Sequence, residues 1–136
     1  MSDDPFVGIW ELDPEQCDYQ MGEPPRQALY TIQKGVAGYR VIISWTTAEG
    51  MNRNAVYETI PDGSVHVDEE TGLEIITTRV DEHTLDTSAR RSGQLINQAR
   101  RTLTENGQAM IVTQTGWTAE GEEYTNRAVY HYVGQA

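Results

Sequence analysis

Short runs rich in Val, Ile, Thr, Tyr and Trp alternate along the chain with turn sequences that contain Gly, Asn, Asp or Pro. Turns that recur at such short, regular intervals are typical of hairpin following hairpin. None of the intervals between runs has room for a crossover helix, so adjacent strands are predicted to be antiparallel and in up-and-down order. The pattern predicts ten strands, at 6–13, 27–34, 38–47, 52–60, 64–68, 73–80, 84–90, 94–104, 109–118 and 122–133.

A sheet of this size would have two long exposed edges, and such edges invite aggregation. Pairing the last strand with the first removes both edges and closes a barrel wide enough to enclose a cavity. The sequence therefore predicts an all-β fold, an antiparallel up-and-down β-barrel of about ten strands with little or no helix. At 136 residues we expect one domain, spanning 1–136.

One segment lacks the strand pattern: PEQCDYQMGEPPR, at 14–26. It is polar and ends in Pro24-Pro25, which stops a helix and favours extended chain. We expect a loop with at most one helical turn. Because it joins the first strand to the second, it is predicted to lie across one end of the barrel as a lid.

The first strand carries a glycine and a tryptophan two residues apart, Gly8 and Trp10, within VGIWELD. Residues two apart on a strand share a face. The spacing predicts that Trp10 plugs the closed end of the barrel, and that Gly8 leaves room there for the chain or a side chain to cross.

Charge and composition exclude several partners. The net charge of −11 disfavours binding to nucleic acid or to an anionic membrane. Cys17 is the single cysteine, so no disulfide forms within the chain and a Cys-based zinc site is not expected. No phosphate-binding or dinucleotide motif appears, and neither a metal nor a cofactor is predicted. We expect a monomer or a homodimer.

The N-terminal segment MSDDPF has no basic stretch or apolar core, and no apolar run is long enough to cross a membrane. The expected location is therefore cytoplasmic, or periplasmic or secreted if a leader was removed.

Several short motifs resemble those of the calycins, the group that includes lipocalins and fatty-acid-binding proteins. Their first strand typically carries G-x-W, here Gly8-Ile9-Trp10. The closer similarity is to small bacterial lipocalin-like proteins, many of which carry a signal peptide. The matching segments, in chain order, are GIWELDP, GEPPRQ, RVDEHT, RRTLTENGQAMIVT and NRAVY. The resemblance covers nearly the whole chain and implies the calycin barrel fold, while indicating little about function.

Fatty-acid-binding proteins commonly hold a carboxylate with R-x-Y on the last strand. Here Arg127 and Tyr130 are three residues apart, which places them on opposite faces. This clamp therefore does not carry over, and a fatty acid is not the expected ligand.

Alternation along the strands gives the candidate lining. The predicted strand 38–47 sends Tyr39, Val41, Ile43 and Trp45 to one face, which we take as the interior. Such a cluster is more often core than binding site, but a ten-stranded barrel is too wide to be filled completely. Aromatic side chains at its mouth suit a ligand with a flat apolar face and a polar handle. The predicted ligand-binding residues are Tyr30, Tyr39, Trp45, Tyr57, Arg101 and Tyr130.

The inward face of the predicted strand 94–104 is ambiguous, because Arg100 and Arg101 lie on opposite faces. If Arg101 points inward, it needs a carboxylate, an aromatic ring or an anionic ligand. In calycins an Arg from a late strand often packs on the first-strand Trp. The resemblance therefore also implies that Arg101 or Arg127 packs on Trp10 in a purely structural role.

The main functional hypothesis is a binding or carrier protein for a small, mostly apolar molecule, aromatic or isoprenoid-like, and neutral rather than a fatty acid. The alternative is a cofactor-independent enzyme, such as a cyclase or isomerase, that uses the same cavity. It would need an inward acid–base pair, and Glu58 and Asp86 face inward only in the other strand register. Further hypotheses are a haem-binding barrel through His131 and a filled barrel that acts as an interaction module.

Overall fold

The computed structural model describes residues 4–136 and consists almost entirely of β-strands. Within this range, no helix has the length and apolar character needed to cross a membrane. The elements are β1 Gly8–Leu12, a 3-10 helix Pro14–Gln16, β2 Asp18–Tyr19, β3 Gln27–Lys34, β4 Tyr39–Thr46, β5 Asn52–Thr59, β6 Asp62–Val67, β7 Glu74–Asp81, β8 Thr84–Arg91, β9 Gln94–Leu103, β10 Ala109–Trp117 and β11 Glu123–Gly134. Ten of these strands match the predicted ones, and β2 is an addition.

The strands form one antiparallel, nearly closed barrel in the order β5-β4-β3-β1-β11-β10-β9-β8-β7-β6, with β2 paired to β11. The predicted all-β barrel is confirmed. The predicted pairing of the last strand with the first is also confirmed, since Trp10 stands opposite Tyr132 of β11 and opposite Tyr30 of β3.

Closure is incomplete between β5 and β6, which are consecutive in sequence but not hydrogen-bonded to each other. The register of β6 against β7 shifts between Asp62 and Val65, and Gly63 has a positive φ of 76°. These irregularities direct β6 towards β7. At the lower end of the gap, the hydroxyls of Thr59 on β5 and Thr77 on β7 are hydrogen-bonded to each other.

The buried core fills one end of the barrel, the closed end. Trp10 is fully buried, its indole N–H donates to the carbonyl of Phe6 at 3.1 Å, and its ring meets Tyr132 edge to face at 5.4 Å. Ile32, Leu85, Leu103 and Met110, among others, surround it as one apolar cluster. The predicted position of Trp10 is confirmed.

Gly8 leaves room for a side chain, as predicted, and that side chain belongs to Tyr132. A β-carbon at Gly8 would collide with the Tyr132 ring, and the φ of 154° also favours glycine. The expectation that an arginine packs on Trp10 is wrong. Arg127 is exposed, and Arg101 packs on a different ring, that of Tyr30.

The chain before β1 completes the closed end. Asp4 accepts hydrogen bonds from the Tyr39 hydroxyl and from Arg79, and Arg79 also donates to that hydroxyl. The Arg79 guanidinium lies 5.8 Å from the centroid of the Phe6 ring. The N-terminal segment is thus tied to β4 and β7 beneath the core.

Replacing Trp10 tests this packing. Trp10→Ala should lower the free energy of unfolding by about 3–5 kcal/mol, because it removes a fully buried aromatic ring and leaves a cavity. Urea denaturation followed by circular dichroism measures the change. Trp117→Ala is the matched control, because Trp117 is 38% exposed, and it should cost about 1 kcal/mol or less. Equal losses for the two variants would contradict the assignment of Trp10 to the core.

Candidate functional site

Above the core the barrel encloses a cavity of about 720 Å³. Its walls are the inward-facing side chains of β3, β4, β5 and of β7 to β11. Glu58 on β5, and His66 to Glu69 at the end of β6, lie where the cavity reaches the gap between those strands. The cavity therefore has a side opening in addition to its mouth.

Arg101 is the charged group at the base of this cavity. It lies on β9 two residues from Leu103, a member of the buried core, so it sits just above the closed end. Its Nε donates to the Tyr30 hydroxyl at 2.6 Å, Nη1 to Thr87 Oγ1 at 3.0 Å, and Nη2 to the Tyr57 hydroxyl at 3.0 Å. The inward register of β9, left open by the sequence, is thereby settled.

Tyrosine side chains surround this guanidinium. The Tyr30 and Tyr57 hydroxyls are 3.0 Å apart, and the Arg101 guanidinium lies 5.5 Å from the centroid of the Tyr30 ring. Tyr130 meets Tyr30 edge to face at 5.5 Å. The guanidinium therefore has neutral hydroxyls and an aromatic face as partners, and no carboxylate among residues 4–136 forms an ion pair with it.

The six predicted ligand-binding residues fall into two groups. Those that line the cavity are Tyr30, Tyr57, Arg101 and Tyr130. Tyr39 lies instead in the closed end, hydrogen-bonded to Asp4. Trp45 packs against the core cluster and borders a separate depression of about 410 Å³ on the wall formed by β3, β4 and β5.

The lining residues that sequence reasoning did not select include the polar side chains of Tyr19, Thr87, Asn97 and Gln114. Asn97 lies on the same face of its strand as Arg101, because the two are an even number of residues apart, so alternation could have identified it once Arg101 was taken as inward. Tyr19 comes from the loop between the first two long strands, where no periodicity identifies the inward side chains.

The predicted lid, 14–26, is more structured than expected. Asp13 caps the 3-10 helix, and β2 pairs with β11. The Asn126 side chain accepts hydrogen bonds from the backbone N–H groups of Gln20 and Met21 and donates to the Met21 carbonyl, at 2.9 to 3.0 Å. These bonds fasten the loop to β11, with Tyr19 facing the cavity.

Two further expectations concern titratable groups. His131 lies exposed on the outer side of β11, where its Nε2 is 3.0 Å from Asp13 Oδ2, so it cannot hold a haem inside the barrel. Asp86 forms a two-bond ion pair with Arg100, both bonds 2.7 Å long, on the outer side of β8 and β9. Glu58 is exposed at the side opening. The acid–base pair that an enzyme would need is not formed by these residues.

Comparison with known proteins supports the fold. No protein-family profile matches the sequence, and no curated protein is similar to it by sequence. Several solved structures are similar, and two of them match over nearly their whole length. Secretory abundant heat soluble protein 4 from Ramazzottius varieornatus has a TM-score of 0.59 at 18% identity, covering 98% of each chain. Zebrafish ileal bile acid-binding protein, complexed with cholic acid, has a TM-score of 0.56 at 12% identity, covering 95% of this chain and 99% of its own. At these identities the likeness shows the calycin-like fold alone.

The buried tyrosines predict how stability depends on alkaline pH. Burial raises the pKa of Tyr30, Tyr39 and Tyr130 above the ordinary value of 10.0. The unfolded chain therefore releases these protons first, and the free energy of unfolding should fall as the pH rises above about 10. Urea denaturation at a series of pH values measures the slope. Tyr130→Phe should make it shallower, and an unchanged slope in that variant would contradict the burial effect.

Asn126 should control the mobility of the lid. Asn126→Ala removes three hydrogen bonds to the loop, each worth about 1 kcal/mol, so amide hydrogen exchange at Gln20 and Met21 should be about tenfold faster or more. Asn54→Ala, an exposed site on β5, is the control. Unchanged exchange in the Asn126 variant would show that the loop is held by other contacts.

Proposed function

We propose that the protein binds a small, mostly apolar molecule inside the barrel, and that this molecule carries an acidic group that pairs with Arg101. The observation that carries the proposal is a guanidinium at the base of the cavity whose partners are all neutral. A buried charge is costly unless it is paired, and a ligand carboxylate would supply the missing charge.

The guanidinium has donors left for such a ligand. Of the five N–H groups of an arginine, three are used by Tyr30, Thr87 and Tyr57. One N–H remains on each terminal nitrogen. The three hydroxyls also hold the guanidinium in place, so less side-chain freedom is lost when an anion binds.

The remaining walls favour an apolar body. Ile43, Ile75, Val112 and Ala128 line the cavity together with the rings of Tyr57 and Tyr130. Aromatic walls favour flat or ring-bearing ligands, as the sequence predicted. The sequence-based preference for a neutral ligand rested on the absent R-x-Y clamp. We replace that preference with an acidic ligand, because Arg101 offers a cation from a different strand.

The comparisons are consistent with this ligand class. The similar zebrafish barrel is a bile acid-binding protein complexed with cholic acid. A barrel of this architecture can therefore bind an acid that has a large apolar body. The net charge of −11 opposes long-range attraction of anions, which affects the association rate more than the fit inside the cavity.

A matched pair of ligands tests the proposal. Laurate and lauryl alcohol share an apolar chain and differ in charge, and isothermal titration calorimetry gives the affinity of each. Arg101→Met should weaken laurate binding by about tenfold or more and leave the alcohol little changed, because only the acid uses the guanidinium.

Arg127→Met is the control, since Arg127 is exposed on the outside of β11. Circular dichroism establishes that each variant is folded, and the ratio of acid to alcohol affinity cancels a general loss of stability. Failure of the wild-type protein to bind laurate, or an acid-to-alcohol ratio unchanged by Arg101→Met, would overturn the proposal.

A further inference from the structure

A second group of polar side chains lies in the cavity well away from Arg101. Asn97 on β9 and Gln114 on β10 both line it. Neither side chain makes a hydrogen bond to another residue within the described range 4–136; Asn97 is half-buried and Gln114 is exposed, so both amides can reach solvent. Two side-chain amides are therefore available to a ligand.

The strand register gives the spacing between these amides and the cation. Asn97 and Arg101 are four residues apart on the same face of β9, a separation of about 13 Å along the strand. Gln114 stands opposite Ala99, midway between them, about 7 Å from the level of Arg101. Since Arg101 is next to the core, both amides lie towards the mouth.

Tyr124 lies at the same level on β11, although it is not among the residues that line the cavity. Gly116 stands opposite both Asn97 and Tyr124, and a β-carbon at Gly116 would lie 2.6 Å from the Tyr124 hydroxyl oxygen. The glycine thus lets this hydroxyl lie over β10 beside Asn97.

Apolar side chains form part of the wall at this height. Ile75 on β7 stands opposite Ala89 of β8, which stands opposite Asn97, and Leu73 lines the cavity just before β7. The upper cavity thus has uncharged amides on β9 and β10, apolar side chains on β7 and β8, and the acidic side chains of Asp68 and Glu69 at the side opening. A ligand that is apolar throughout its length would cover the amides without replacing their bonds to water, which costs free energy.

We infer that the ligand is bifunctional: besides the acidic group at Arg101, it carries a hydroxyl about 7–13 Å away, bound by Asn97 and Gln114. A hydroxyl both donates and accepts, and a side-chain amide offers both complements. This inference rests on the proposed function, because Arg101 sets the position and direction of the ligand.

Laurate and ω-hydroxylaurate are the probes, since they differ by one hydroxyl at the end of a chain comparable in length with the separation of Asn97 from Arg101. The wild-type protein should bind ω-hydroxylaurate about three- to tenfold more tightly, the effect of one hydrogen bond between uncharged groups. Calorimetry measures both affinities.

The double variant Asn97→Leu/Gln114→Met keeps the side-chain shapes and removes the amides. It should bind the two ligands with equal affinity. Gln98→Met is the matched control, because Gln98 is exposed on the outer side of β9 and should leave the preference intact. The preference is a ratio between two ligands, so a general loss of stability does not imitate its disappearance.

The outcomes separate the two proposals. If the wild-type protein binds both acids with equal affinity, or if the double variant keeps the preference, the bifunctional ligand is overturned and the acidic ligand stands. If neither acid binds to the wild-type protein, both proposals fall. If the preference is present in the wild-type protein and the Gln98 variant but lost in the double variant, the inference is supported.

Discussion

The pairing of β1 with both β3 and β11 is the constraint on which the rest of the structure depends. It brings the two ends of the chain together and turns a ten-stranded meander into a ring. The same short strand carries Trp10, which fills the ring at one end, and Gly8, which admits Tyr132 beside it. Closure and the main core contact are therefore encoded within a few residues.

The width of the ring has a second effect, because ten strands enclose more space than their inward side chains fill. The core occupies one end, and the remaining volume is open to Arg101. An arginine in a filled core would need a buried carboxylate. Here hydroxyls from three other strands satisfy part of its bonding capacity, and no carboxylate among residues 4–136 serves as its counter-ion.

Much of the fold was predictable because hydrophobic alternation and turn residues are local signals. The strand 38–47 was assigned its inward face correctly, since Tyr39 and Val41 are both buried. The inward face of the strand 94–104 was left open, because Arg100 and Arg101 are chemically identical. Their partners distinguish them: Asp86 pairs with Arg100 on the outside, and Tyr30, Thr87 and Tyr57 accept from Arg101 inside, which depends on cross-strand register.

The candidate site was predictable in part for the same reason. Tyr30 occupies a position that alternation assigned to the interior, whereas Tyr57 and Tyr130 line the cavity on strands whose inward face alternation left open. Tyr39 follows the same alternation but lies near Asp4 at the closed end. Alternation predicts which face a side chain occupies, but its height along the barrel axis depends on how the strands are packed together. The partner of Trp10 was likewise misassigned to an arginine, because an aromatic ring accepts either kind of neighbour.

The gap between β5 and β6 has a mechanical consequence. In every other direction, widening the barrel requires backbone hydrogen bonds of a strand pair to break. Across this gap no strand pairing is formed, and the hydroxyl of Thr59 on β5 is instead hydrogen-bonded to that of Thr77 on β7. Strand pairing therefore resists widening around most of the circumference, and the barrel can widen along the gap between β5 and β6 without loss of sheet structure.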